Sequence, residues 1–334
     1  IRAGQFDEGL IEAPVNNYKM QLMKEFDKYD QRTMFYVYSF IYGKEWADDI
    51  RQLERMEKIT KQDVVDWANK YLGPESYAII YKREGKDPDE QKIAAPKITP
   101  IVTNRDSQSE FLSEIQTSQV QPIEPVFVDY KKDMSQFEAQ PGIDVLYKKN
   151  ETNDIFTLIY VFNTGTENDP ALNLAFNYLS YLGTDKMTAE EIASEMYDIA
   201  CSFYMNAGAN QSSIQITGLS ENMGKAMEIV EGLIAGAKPD EAILENCKAD
   251  MLKSRADAKL NQSRCFGALQ RYLFYGGDFI RRTTLTNPAL EAMSSEMLLA
   301  KIGELMGKQH EVLYYGPQSE KEVTEALAMH HKTS

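Results

Sequence analysis

The sequence predicts an α+β fold in which an antiparallel-rich sheet packs against helices. Three observations carry this. Residues 154–219 read in the order strand, helix, helix, strand, strand. Helical segments with clear start and stop signals lie on both sides of that block. A set of landmarks in the first 81 residues recurs near the end of the chain at an almost constant offset.

The elements follow in chain order. From Phe6 to Tyr29 the apolar residues Val15, Tyr18, Leu22, Phe26 and Tyr29 keep one helical face. Pro14 starts or kinks this helix. The chain opens at Ile1 inside what reads as helix and without a methionine, so it is expected to be part of a longer protein. A second helix, Arg32 to Tyr42, carries Phe35, Tyr36, Tyr38, Phe40 and Tyr42, a stripe expected to be core. Gly43 breaks it, and Glu45 to Met56 reads as a third helix. Thr60-Lys-Gln-Asp63 sets a capping hydroxyl three residues before an acid, which satisfies free backbone N–H groups at a helix start. Val64, Val65, Trp67, Ala68 and Tyr71 are the expected buried side, and Gly73-Pro74 ends the helix. Tyr77-Ala-Ile-Ile-Tyr81 reads as a short strand.

Residues 86–124 change character, with Pro96, Pro100 and Pro122 among Ser, Gln and Thr. That composition buries no core and reads as linker, with one short helix over Ser109 to Gln116. The second unit starts near Val126. Phe127 to Tyr130, Gly142 to Tyr147 and the unbroken run Ile155 to Phe162 supply three strands, the last expected to be buried on both faces. The turn Asn163-Thr-Gly-Thr166 and the breaker Asp169-Pro170 close that run. A helix from Ala171 to Leu182 ends at Gly183-Thr184, and Ile192, Met196 and Ile199 mark the next. Cys201 to Asn206 and Gln211 to Leu219 form a strand pair. Glu221 to Ile234 is an amphipathic helix, Lys238-Pro239 opens a helical region reaching about Tyr275, Ser295 to Met306 is a further helix, and Glu311 to Tyr315 is the closing strand. Beyond Ser319 a polar tail is helical at first and then frayed.

The recurring landmarks are Tyr42-Gly43 with Tyr275-Gly276, the cap Thr60 with Ser294, and the strand ends Tyr81 and Tyr315, at offsets of 233, 234 and 234 residues. Both units therefore end alike. Residues 1–86 read as the C-terminal half of one repeat, 87–124 as linker, 125–318 as a complete repeat, and 319–334 as the tail.

Composition excludes several classes of function. The chain has 334 residues, 43% hydrophobic and 26% charged, with a formal net charge of -15. Phosphate binding needs clustered Lys and Arg, so this balance opposes nucleic acid. No stretch approaches the ~20 apolar residues of a membrane span. Cys201, Cys247 and Cys265 are widely spaced, form no C-x-x-C, and are expected to be small buried hydrophobes. His310 opens a strand while His330 and His331 fall in the polar tail, so no histidine pair stands at ligand spacing on an ordered element. No G-x-G-x-x-G, P-loop or G-x-S-x-G elbow occurs, and Gly276-Gly277 reads as a helix stop.

The strand ending in Asn163-Thr-Gly-Thr-Glu167, the helix ending in Leu182-Gly183-Thr184, and the helix and hairpin that follow resemble the repeat unit of the pitrilysin/insulinase family of zinc metallopeptidases, the inverzincins. The resemblance implies the LuxS/metallopeptidase-like fold. In catalytic repeats of that family the helix before Leu-Gly-Thr carries H-x-x-E-H. Counting back, the histidines would fall on Leu174 and Tyr178 and the glutamate on Asn177, and none of these groups is present. Glu241, Glu245 and Asp250 stand near the place of the family's third ligand, and without the histidines they read as a solvated helix face.

The resemblance implies an internal, non-catalytic segment: the end of a second repeat, the linker and a third repeat. No catalytic residue is assigned to it, and zinc is implied only for a catalytic repeat elsewhere in the parent protein. Large family members pair four repeats into two bowl-shaped halves around a peptide-digesting chamber. The implied partners are the remaining repeats of the same polypeptide and peptide substrates. A periplasmic or cell-envelope location rests on the resemblance alone. The alternative is a structural or peptide-binding subunit of this fold in which no repeat is active.

Overall fold

The computed structural model describes residues 1–85, 93–101, 103–105 and 107–331. Thirteen α-helices and six strands occur among them. Four helices come first: α1 (Gly9–Phe26), α2 (Tyr29–Tyr42), α3 (Trp46–Met56) and α4 (Lys61–Tyr71). The short α5 (Glu110–Thr117) precedes β1 (Ser135–Gln140), β2 (Ile143–Lys149) and β3 (Ile155–Phe162). Then come α6 (Leu172–Leu179), α7 (Ala189–Asp198), β4 (Cys201–Ala207), β5 (Ser212–Leu219) and α8 (Met223–Gly236). The chain finishes with α9 (Glu241–Ala258), α10 (Gln262–Thr283), α11 (Asn287–Glu291), α12 (Ser295–Met306), β6 (His310–Gly316) and α13 (Glu320–His330).

The chain divides into two compact units, one of residues 1–68 with 129–334 and one of residues 69–128. In the first, six strands form one sheet in the order β1-β2-β6-β3-β5-β4. Only β2 and β6 run parallel; the other neighbours are antiparallel. The closing strand thus inserts between the first hairpin and β3, which welds the end of the repeat into its middle. Phe156, Leu158, Tyr160 and Phe162 of β3 are buried on the helix side, with Ile214 and Ile216 of β5 and Val312 and Tyr314 of β6. The period of two that separates strand faces explains why the reverse-face residues Thr157, Ile159 and Val161 are only half-buried. The expectation of burial on both faces is corrected to one full face.

Helices α6, α8, α9 and α12 cover the inner face. Leu174, Leu179, Met227, Val230, Leu244, Leu298 and Ile302 meet the strand residues in one continuous core. Gly165 shapes the turn after β3: a Cβ there would stand 2.3 Å from the Ala209 carbonyl oxygen. That close approach lets Thr166 and Glu167 donate backbone hydrogen bonds to Gly208 and Ala209.

Several expectations are corrected. Residues 1–8 form turns, so the chain does not open inside a helix, and Pro14 lies within α1 rather than at its start. Tyr77–Tyr81 forms no strand and its large side chains are exposed; an isolated strand has no ladder to pair with. Phe127–Tyr130 is not a strand either, and the first strand of the sheet is Ser135–Gln140, whose polar sequence hides it. The aromatic stripe of α2 is not core: Tyr36, Tyr38, Phe40 and Tyr42 are exposed. Trp67 and Tyr71 on α4 are exposed as well, leaving Ala68 as its buried residue. The helical region after Pro239 breaks at residues 259–261, where Asn261 caps α10, and continues past Tyr275 to Thr283 through a non-helical Gly276. Cys265 is exposed, whereas Cys201 and Cys247 are buried.

In the second unit, residues 93–101, 103–105 and 107–128 are exposed except for a half-buried Ser113. The helix expected over 109–116 is α5, capped by the Ser109 hydroxyl accepting from Leu112 N–H. Residues 87–92, 102 and 106 of the expected linker, and residues 332–334 of the expected tail, lie outside the described residues.

Candidate functional site

The site to test is the turn of α6 that would carry metal chemistry. Its sequence, LNLAFNYL, places residues 174 and 178 one helical turn apart on the core side and residue 177 beside them. Leu174 and Tyr178 are fully buried and Asn177 is exposed. Leu174 packs in the core. The Tyr178 hydroxyl accepts from Asp240 N–H at 2.7 Å and lies 2.8 Å from Ser295 Oγ and 3.1 Å from the Asp240 carbonyl. Asp240 caps α9 and Ser295 opens α12, so this phenol ties two helix starts to α6.

The downstream acids turn elsewhere. Glu241 Oε1 accepts from Ser295 N–H at 3.0 Å, and that backbone hydrogen bond lowers its pKa. Glu245 pairs with Lys248 at 2.8 Å, and the buried Lys248 ammonium also donates to the Glu291 carbonyl. Asp250 is exposed and raises the pKa of Cys247, adding to the effect of burial there. An aliphatic side chain, a carboxamide and a buried phenol are not the nitrogen and carboxylate donors that zinc takes in such sites, so these residues do not fit the metal. No group of three His, Cys, Asp or Glu among the described residues is placed to hold a metal ion.

A groove of about 290 Å³ remains beside this turn. Asn173, Asn177 and Ser180 of the α6 segment form one wall, and Phe203, Tyr204 and Asn206 of β4 the other. β4 is an edge strand of the sheet. Edge strands present backbone N–H and C=O groups outward, which is the requirement for adding an extended peptide. Tyr204 stands exposed on that edge. Cys201, at the start of the strand, is no nucleophile: burial pushes its thiol up to about 12.

Sequence reasoning missed one constellation. His331, expected in a frayed polar tail, is 1% exposed and lies 2.7 Å from His310, which is 2% exposed. The correction has a plain cause. α13 folds back onto α8 and β1 and buries Val323 and Leu327. No local pattern signals it, because the two rings are brought together only by tertiary packing.

In sequence, the chain matches no family model and no curated protein. Solved structures share its fold. A peptidase M16 inactive domain from Pseudomonas fluorescens superposes with a TM-score of 0.53 at 15% identity, covering 60% of this chain and 52% of that one. The periplasmic protease PqqL from Escherichia coli gives 0.52 at 11%, covering 95% of this chain and 38% of that one. The ferredoxin protease FusC, in complex with Arabidopsis ferredoxin, gives 0.52 at 11%, covering 92% and 36%. The chain spans about half the length of the first of these and under two fifths of the other two. At such identities the likeness is one of fold, and the fold is the pitrilysin-like α+β fold that the sequence predicts. Among the described residues no helix is long and apolar enough to cross a membrane.

Proposed function

We propose that the chain is a non-catalytic segment of a pitrilysin-like zinc metalloendopeptidase and forms part of the wall of its peptide chamber. The observation that carries this reading is the state of α6. The fold is kept, while the turn that would hold metal is rebuilt as core, with Leu174 buried and the Tyr178 hydroxyl committed to Asp240 and Ser295. Zinc chemistry then belongs to another repeat of the same polypeptide, where three protein ligands leave one position for water. The contribution of this segment is to close the chamber and shape its surface. The β4 edge and its groove suit an extended peptide held by backbone hydrogen bonds. A second reading rests on that same edge: a peptide-binding or structural subunit of this fold with no active repeat anywhere.

Zinc content and cleavage of unstructured peptides, measured side by side on the full-length parent and on this chain, test the proposal. The expected result is about one zinc and cleavage in the parent, and neither in this chain. Stoichiometric zinc and cleavage by this chain alone would overturn it. Absence of both from the parent selects the second reading.

A further inference from the structure

Two histidines 21 positions apart meet in the interior. His310 opens β6 and His331 follows α13; their Nε2 atoms are 2.7 Å apart and their rings are perpendicular at 88°. His310 Nδ1 lies 2.8 Å from the Lys308 carbonyl oxygen, and His331 Nδ1 lies 2.5 Å from Glu231 Oε1 on α8. The Tyr160 ring of β3 packs 4.1 Å from that of His331, and Phe162 packs 4.4 Å from His310.

The contacts dictate where the protons sit. A carbonyl oxygen only accepts, so His310 Nδ1 carries a proton and, in the neutral ring, its Nε2 is a bare acceptor. His331 Nε2 is therefore the donor across the 2.7 Å contact. His331 Nδ1 faces the Glu231 carboxylate, which accepts from an N–H at that nitrogen. The imidazole position left for another proton is His310 Nε2, and filling it sets N–H against N–H.

Other groups around His310 do not relieve that conflict. The Lys308 ammonium turns to Thr164 Oγ1 at 3.1 Å, and Ile143, its register partner on β2, is apolar. His330 Nε2 lies toward Gly224 on α8. The Tyr160 hydroxyl is buried, and burial together with the Glu231 charge raises its pKa. Burial lowers the pKa of His310, and the charge of His331 acts in the same direction; the Lys308 carbonyl and Glu231 oppose them without reversing the shift.

We propose that the His310–His331–Glu231 chain is an acid-released lock that fastens the C-terminal end of α13 to the sheet. His310 has a folded pKa below its unfolded value of about 6.5, so the unfolded or released state binds more protons in the window below that value. The lock is lost progressively as pH falls through that window. Val323 and Leu327 still hold α13 as far as residue 327, and the Gln140 amide donates to the His331 carbonyl, so release begins at the C-terminal end beyond Leu327.

Hydrogen-exchange protection factors of the full chain between pH 7.5 and 5, read beside imidazole nitrogen NMR, test this. The amides of residues 328–331 are expected to lose protection by up to about tenfold per pH unit, the slope for uptake of one proton, while those of Ile155–Phe162 hold. His310→Gln keeps an acceptor and cannot be protonated, so it flattens the dependence. Unchanged protection at residues 328–331 across the range, or a His310→Gln chain with the same pH dependence, would overturn the lock. Should that variant fail to fold, the native chain decides: a proton on His310 Nδ1 at pH 7.5 supports the lock, and one on Nε2 alone refutes it.

Discussion

Helices α1 to α4 and helices α9 to α12 follow one order of sequence landmarks, set about 233 residues apart, and they differ in what lies on top of them. In the second version α6 and the sheet fill the space, and Leu298, Leu305 and Met306 on α12 are buried. At the matching positions of α4 and just beyond it, Val64 is half-buried and Tyr71 and Leu72 are exposed. Between α1 and the start of α4 the first version keeps an open cleft of about 860 Å³, lined by Ile11, Val15, Met56, Ile59 and Val65. The outer helices, by contrast, agree: Tyr36 and Phe40 of α2 are exposed, and so are Leu269 and Leu273 of α10. The same helical pattern is therefore core or surface according to whether a sheet and its covering helix are present. Helical periodicity sets the face, and a long-range partner sets its burial.

The largest effect expected from this contrast is in core truncation. Leu298→Ala should cost about 2–5 kcal/mol of stability, the range for a buried leucine that leaves a cavity. The equivalent change on the other array, Val64→Ala, removes less volume from a half-buried position and should cost under ~1 kcal/mol. Urea unfolding monitored for the whole domain reads both. Equal losses would mean that the cleft beside α4 is as well packed as the core over α12.

Next in size are the glycines that end α2 and interrupt α10. Gly43 adopts φ 61° and ψ 34°, the left-handed helix stop, whereas Gly276 adopts φ 76° and ψ 169°, a region open almost only to glycine. Gly43→Ala should therefore cost about 1–2 kcal/mol, and Gly276→Ala should reach about 1–3 kcal/mol. A larger loss at Gly43 than at Gly276 in thermal unfolding would show that the two landmarks, alike in sequence, are not equivalent turns.

The legible features were those that a short stretch decides for itself. The cap at Thr60, the short helix from Ser109, the helix stop at Gly43 and the apolar run of β3 were each readable within a few residues, and the structure has them all. The α+β order followed from these. What escaped was decided at a distance. β1 is polar and is a strand because β2 pairs with it, while the apolar Tyr77–Tyr81 has no such neighbour and is none. In the candidate site, the lack of ligand chemistry at Leu174, Asn177 and Tyr178, where the resemblance would place it, was visible by counting, whereas the use made of Tyr178 was not, since Asp240 and Ser295 lie 62 and 117 residues away.

The smallest expected effect falls on the helix caps, where the two arrays should behave alike. Ser294 Oγ accepts from Met297 N–H at 3.3 Å, and Thr60 Oγ1 accepts from Asp63 N–H at 3.2 Å. The Asp63 carboxylate in turn accepts from Thr60 N–H at 2.9 Å, and the hydrogen bonds from Thr60 lower its pKa. A carboxylate whose folded pKa is depressed stabilises the fold above its unfolded value and loses that contribution as pH falls through the folded one. Alanine at either cap should cost about 0.5–2 kcal/mol of helix stability, since a capped N–H is left to water in both. The contrast lies in their acid response. Hydrogen-exchange protection at the start of α4 should fall below about pH 4, the ordinary range of an aspartate, while the start of α12, whose third helical position is Met297, should show no such step from its own cap. A shared step at both helices would mean that acid loosens the arrays together rather than through the Asp63 side chain.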